Sequence, residues 1–93
     1  MKARGKKFLS DSYDENGRIT WSVHTGGGFY LVEASITISD CSRDIVLDFD
    51  CEKVRHIDKR IDKLERLINE LEDVKLALVE AKNEINKKKK FYY

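Results

Sequence analysis

The stretch KRIDKLERLINELEDVKLALVEAKNEI, from Lys59 to Ile85, contains neither glycine nor proline and places an aliphatic residue at every third or fourth position. That spacing matches the 3.6-residue turn of an α-helix. A helix of this length in a chain of 93 residues must find cover for its apolar side. This need constrains the fold more than any other feature.

No stop signal precedes the lysine run, so one helix over residues 51–88 is expected. Asp50 is placed to cap it, Glu52 in the first turn suits the positive end of the helix dipole, and Phe49 with Val54 stand at the two positions of a hydrophobic staple. Two aliphatic seams follow. Val54, Ile57, Ile61, Leu64, Ile68 and Leu71 form the first. It fails beyond Leu71, where Lys75 and Lys82 would be its next members, and Leu64, Leu67, Leu71, Val74, Leu78, Ala81 and Ile85 take over on an adjacent side.

Upstream, the period is two. RITWSVHT sets Ile19, Trp21 and Val23 against Thr20, Ser22 and His24. FYLVEASITISD sets Tyr30, Val32, Ala34, Ile36 and Ile38 against Phe29, Leu31, Glu33, Ser35 and Thr37, and DIVLDFD sets Ile45, Leu47 and Phe49 against Val46 and Asp48. Alternation of this kind predicts half-buried strands, with TGGG and DCSRD as the hairpin turns. DENG is a further turn, with Phe8 to Tyr13 as a fourth, edge strand. The expected fold is α+β in a single domain. A three- or four-stranded antiparallel meander (residues 7–50) precedes one long C-terminal helix (51–88) that extends beyond the sheet, and a basic aromatic tail (89–93) closes the chain. The first seam is expected to dock on Trp21, Val32, Ile36 and Leu47.

Length then separates the seams. At ~1.5 Å per residue the helix spans about 55 Å, whereas strands of about seven to ten residues reach ~25–33 Å. Left in water, each large aliphatic side chain of the second seam would forgo roughly 1.5–3 kcal/mol. Leu67, Val74, Leu78, Ala81 and Ile85 are therefore the expected homodimer seam, packed as in a coiled coil. A helical hairpin that breaks near Asn69 or Asp73 is the alternative.

Charge and composition exclude several classes. Lys and Arg number 18 against 17 Asp and Glu, a net charge of +1, so no global field draws the chain to nucleic acid or to a membrane. Charged residues make up 38%, well above the ~25% of an ordinary domain, as a long solvated helix requires. No apolar run is long enough to span a bilayer, and MKARGKKFLSDSYDE lacks the apolar core of a secretory signal. A cytoplasmic location is the expectation, with free thiols at Cys41 and Cys51 and a loop-closing disulfide as the alternative. Cys51 at the start of the helix is also a candidate for thiol activation, although an inert thiol is the preferred reading.

No catalytic or metal signature emerges. HTGGGFY lacks the GK[ST] of a phosphate loop and leads into a strand. His24 and His56 have no nucleophile at a recognisable spacing, and Asp44, Asp48, Asp50 and Glu52 do not match a calcium loop. Neither an enzyme nor a cofactor is expected. His24, Phe29 and Leu31 are instead the candidate partner-binding residues. Phe29 and Leu31 alternate with the core set and so point away from it, beside a glycine turn. Basic patches at both ends, MKARGKK and KKKKFYY, support a nucleic-acid alternative. In it Lys87, Lys88, Lys89 and Lys90 meet phosphates while Phe91, Tyr92 and Tyr93 stack on bases.

The join IVLDFDCEKVRHIDKRIDKLERLINELEDVKLALVEA, Ile45 to Ala81, resembles small phage and prophage accessory proteins, a similarity that covers roughly residues 43–81. These place a short antiparallel sheet before a helix of the form K-hydrophobic-D-x-L-x-x-L-I-x-x-L. The resemblance implies a host-takeover or anti-defence inhibitor that works by binding a host or defence protein in the host cytoplasm, anti-CRISPR proteins being one such class.

Overall fold

The computed structural model describes residues 1–9, 17–26 and 30–88. Four antiparallel strands, β1 (Lys2–Phe8), β2 (Arg18–Thr25), β3 (Val32–Asp40) and β4 (Arg43–Asp48), form a sheet of order β1-β2-β3-β4. A 3₁₀ turn (Val54–His56) and the helix α1 (Ile57–Lys87) follow. This is the α+β arrangement that the change of period from two to 3.6 predicts. The chain divides into two units, Met1–Arg60 and Ile61–Tyr93.

Strand register sorts the side chains onto two faces. On one, Trp21 stands between Gly5 and Ile36, Ile36 faces Leu47, and Ile19, Ile38 and Ile45 form the next row. On the other, Thr20 pairs with Thr37 and Ser22 with Ser35. One face is therefore aliphatic and aromatic and the other is hydroxylic, as the alternation requires. Most of the apolar face is only half-buried. The buried apolar side chains of the described residues are Phe49, at 7% exposure, and Cys51, at 4%.

The edge strand lies earlier than the sequence suggests. It spans Lys2–Phe8, so the sheet begins at Lys2 rather than at residue 7, and residues 10–13 of the expected strand over Phe8 to Tyr13 lie outside the described residues. Gly5 accounts for the difference. The Trp21 indole lies across it, and a Cβ there would overlap the ring. Residues 10–16, with most of DENG, and residues 27–29, with the end of the TGGG turn, lie outside the described residues. The flanking contacts remain. Leu9 N–H donates to the Gly17 carbonyl at 2.9 Å, and Thr25 N–H donates to the Met1 carbonyl at 2.9 Å. Gly26 holds φ at +78°, the left-handed region that favours glycine. Cys41 also adopts positive φ, at 55°, in the two-residue turn between Asp40 and Arg43.

At Asp50 the sheet and the helix compete for the same residue, and the sheet wins. Phe49 N–H donates to the Ala34 carbonyl at 2.8 Å, and Cys51 exchanges both backbone bonds with Val32 at 3.0 and 3.1 Å. Between them the Asp50 carboxylate accepts the Ala34 N–H at 2.7 Å. Asp50 therefore caps a strand end rather than a helix. Lys53 takes the cap position of the 3₁₀ turn in extended geometry and makes no side-chain bond there. The expected helix start at residue 51 moves to the 3₁₀ turn at Val54 and the α-helix at Ile57. The staple is lost with it, because Phe49 continues the apolar row of β4 while Val54 is 72% exposed.

From Ile57 the helix is unbroken to Lys87, 31 residues or about 46 Å. It passes through Asn69 and Asp73 without a turn, which removes the helical-hairpin alternative. An Arg66–Asp62 pair at 2.8 Å on its exposed side adds about 0.3–0.5 kcal/mol. The helix carries no buried residue. Ile61, Ile68 and Leu71 of the first seam are exposed, and Ile57 and Leu64 are half-buried. No helix of the described residues is long and apolar enough to cross a membrane.

Two substitutions check this account. Asp50→Ala leaves the Ala34 N–H without its acceptor and should cost about 1–3 kcal/mol in denaturant unfolding. Cys41→Gly relieves the left-handed strain and should stabilise by about 0.5–1 kcal/mol, after allowance for the extra freedom of glycine in the unfolded chain.

Candidate functional site

Three surfaces stand out among the described residues, and each follows from local periodicity. The first is the apolar sheet face, where Trp21 and Ile45 are exposed and Val23, Val32, Ile36 and Leu47 are half-buried.

The second is the polar sheet face, where charge is segregated by strand. β1 places Lys2, Arg4 and Lys6 on this face at every second residue, with Phe8 at the end of the row. Opposite them across the sheet stand Glu33 on β3 and Asp44 and Asp48 on β4. A groove of about 660 Å³ runs between the two signs, with Lys2, Arg4 and His24 on one side and Glu33, Asp48 and Asp50 on the other. A second groove of about 490 Å³ is bounded by Arg4, Lys6, Thr20, Ser22, Ser35 and Thr37, and no carboxylate lines it. The Lys6 ammonium sits over the Phe8 ring, 6.0 Å from its centroid.

The third is the helix stripe. Leu67 is half-buried, while Val74, Leu78, Ala81 and Ile85 are exposed, Leu78 at 66%. Val79 is exposed as well. It lies five turns beyond Ile61, on the side of the first seam, an 18-residue interval that a seam followed in steps of three and four passes over.

His24 is half-buried in β2, opposite Lys2 and Glu33. Leu31 is exposed in the β2–β3 connection, one residue before β3 begins, and Phe29 lies outside the described residues. Lys87 ends α1 and Lys88 follows it. Lys89, Lys90, Phe91, Tyr92 and Tyr93 lie outside the described residues. The cations of β1 were visible in the sequence as a basic end, MKARGKK, but not as a strand. Their signal is the alternation K-x-R-x-K, which has the period of a strand and not of a tail.

Cys51 does not stand at a helix N-terminus. It is a buried residue of the bridge with Val32, whereas Cys41 is exposed, and both are free thiols. Among the described residues no group of three or more His, Cys, Asp or Glu could hold a metal ion. His56 titrates below the ordinary imidazole value of 6.5, first because of desolvation and then because Lys59, Arg55, Lys53 and Arg60 surround it with positive charge.

Both groups give direct tests. A thiol reagent applied to the native protein should label one cysteine quickly, Cys41, and the second only on unfolding. The His56 ring protons should titrate below pH 6.5 in an NMR series, and Lys59→Gln should move the midpoint upward. Because the folded state holds this proton less tightly than the unfolded state, the linked stability is fully present above pH 6.5 and is lost as pH falls through the lowered value.

The chain matches no protein-family model, no curated protein and no solved structure.

Proposed function

We propose that this protein is a non-enzymatic protein-binding module that acts as a homodimer and inhibits a host or defence protein. The observation that carries the reading is α1, 31 residues long and without one buried side chain. An aliphatic stripe of Leu67, Val74, Leu78, Ala81 and Ile85 on a continuous helix has the form of a coiled-coil seam, and Glu and Lys positions beside it supply the polar flanks. Each large aliphatic residue of the seam gains roughly 1.5–3 kcal/mol when a second copy removes it from water.

The protein partner is assigned to the sheet end. Leu31, with His24 and Phe29 as its companions from the sequence, offers an exposed apolar contact next to a turn. A binding role agrees with the absence of any recognised nucleophile–base pair in the sequence, and the resemblance of the strand-to-helix join to phage accessory proteins suggests a cytoplasmic host or defence protein as the target. Nucleic-acid binding by the lysine tail is the second reading, and the near-zero net charge counts against it as the main role.

Sedimentation equilibrium should return twice the 10.9 kDa chain mass at concentrations where Leu78→Glu returns one chain mass. A monomer in both cases refutes the seam. Leu31→Asp should abolish capture of the partner protein without altering the mass of the dimer.

A further inference from the structure

The polar face of the sheet carries a site that neither the dimer seam nor the Leu31 contact uses. We propose that Lys2, Arg4 and Lys6, with the hydroxyl floor of Thr20, Ser22, Ser35 and Thr37 and the ring of Phe8, bind the phosphate backbone and one base of a single-stranded nucleic acid.

Three observations support this. The first is geometric. In a β-strand every second side chain points to the same face, ~6.6–6.8 Å from the last. The three cations therefore form a straight row along the edge strand, and a row of point charges suits an extended polyanion better than it suits a single compact anion. None of the three pairs with a carboxylate among the described residues, so their charge is not already spent.

The second is the floor beside them. The 490 Å³ groove adjoins Arg4 and Lys6 and is lined by four hydroxyls and no carboxylate. Hydroxyls donate to phosphate oxygens without adding charge, and they complete the coordination that two cations begin. The carboxylates of this face, Glu33, Asp44 and Asp48, stand on β3 and β4. They repel a polyanion from β4 and from the Glu33 end of β3 and leave it the cations of β1 with the hydroxyls of β2 and the middle of β3, which fixes its track.

The third is Phe8. It is exposed, on the same face as the cations by strand alternation, and Lys6 sits over its ring. A phosphate held at Lys6 brings the attached base to an aromatic surface. Backbone cations beside an aromatic platform are the combination by which proteins hold single strands without reading sequence. Cations on an edge strand also deter edge-to-edge pairing, but that role needs only charge of either sign. It needs neither the hydroxyl floor nor the aromatic ring, and the distinction can be measured.

Fluorescence anisotropy with labelled oligo-dT and oligo-U of about twelve nucleotides, within the span of one binding surface, tests the proposal on the full chain. Three phosphate contacts on a single strand should weaken binding about twenty-fold between about 50 and 200 mM salt. The triple variant Lys2→Gln, Arg4→Gln, Lys6→Gln should lose at least tenfold in affinity. The matched triple variant Lys59→Gln, Lys63→Gln, Lys82→Gln on α1, with the same change of net charge, should lose less than twofold. Phe8→Ala should weaken oligonucleotide binding about fivefold or more, the effect of one lost stack, and leave heparin binding unchanged. Circular dichroism and thermal melting establish that each variant is folded. If the β1 triple loses its fold, the charge reversal Arg4→Glu, which keeps the edge charged, replaces it and should abolish binding.

Comparable affinities for oligo-dT and oligo-U support a backbone site, and a strong preference for oligo-U would assign the site to RNA through the 2′-hydroxyl. The proposal is overturned if the wild-type chain binds neither oligonucleotide at low salt, or if the β1 variant binds as wild type. It is equally overturned if removal of residues 89–93 alone eliminates binding, or if heparin and oligonucleotide respond identically to Phe8→Ala. The dimer variant Leu78→Glu should leave intrinsic binding per chain unchanged, which keeps failure of this site distinct from failure of the helix seam.

Discussion

Asp50 decides how two kinds of periodicity are joined in one short chain. Its carboxylate accepts the Ala34 N–H, its own N–H donates to Asp48 Oδ1 at 2.8 Å, and its carbonyl accepts from the Arg60 guanidinium at 2.8 Å. One residue thus closes the last rung of the sheet, bends the chain out of β4, and ties down the first turn of α1. A charge-assisted bond between a carboxylate and a backbone amide is among the stronger neutral-pH contacts a small protein can make. With so few side chains fully withdrawn from solvent, polar contacts of this kind carry a larger share of the order than they would in a bigger domain.

The apolar residues are distributed in a way that supports the proposed binding role. A four-stranded sheet with one greasy face and a helix with an aliphatic stripe each present area that a larger protein would bury within itself. Here Trp21 closes over Gly5, Phe49 and Cys51 withdraw from water, and the remainder stays half-covered or open. Such surfaces are sustained in solution by flanking charge, which accounts for the high charged fraction of the sequence. The charge is not scattered evenly. On the sheet it separates into a cationic edge on β1 and an anionic one on β3 and β4, so the polar face has a direction even though the net charge is near zero.

The proposed dimer seam, protein contact and polyanion track draw on residues of different elements. The seam belongs to Leu67 to Ile85 on α1, the protein contact to the β2–β3 connection, and the cationic row to β1. A dimer built on the helices would present two copies of each sheet surface, and paired weak sites gain avidity without any new contact.

Periodicity by itself determined the α+β class, the antiparallel strands and the long unbroken helix, because each depends on side-chain spacing within one element or on turns of a few residues, whereas the strand order came from the pairing in the structure. Ile19, Trp21 and Val23 alternate wherever they are placed, and nothing between Lys59 and Ile85 can stop a helix. Other features depended on partners distant in sequence. The register with β2 fixes Lys2 to Phe8 as a strand, which the sequence signals only through a cationic alternation rather than an apolar one, and the glycine at its centre is needed to admit Trp21. Only the bridge to Val32 reveals that Cys51 belongs to the sheet, and only the Ala34 amide withdraws Asp50 from helix capping. A local reading assigns a capping residue to the nearest helix. The tertiary structure assigned it to a strand sixteen residues away, since a partly buried amide left without an acceptor costs more than a helix end that water can solvate.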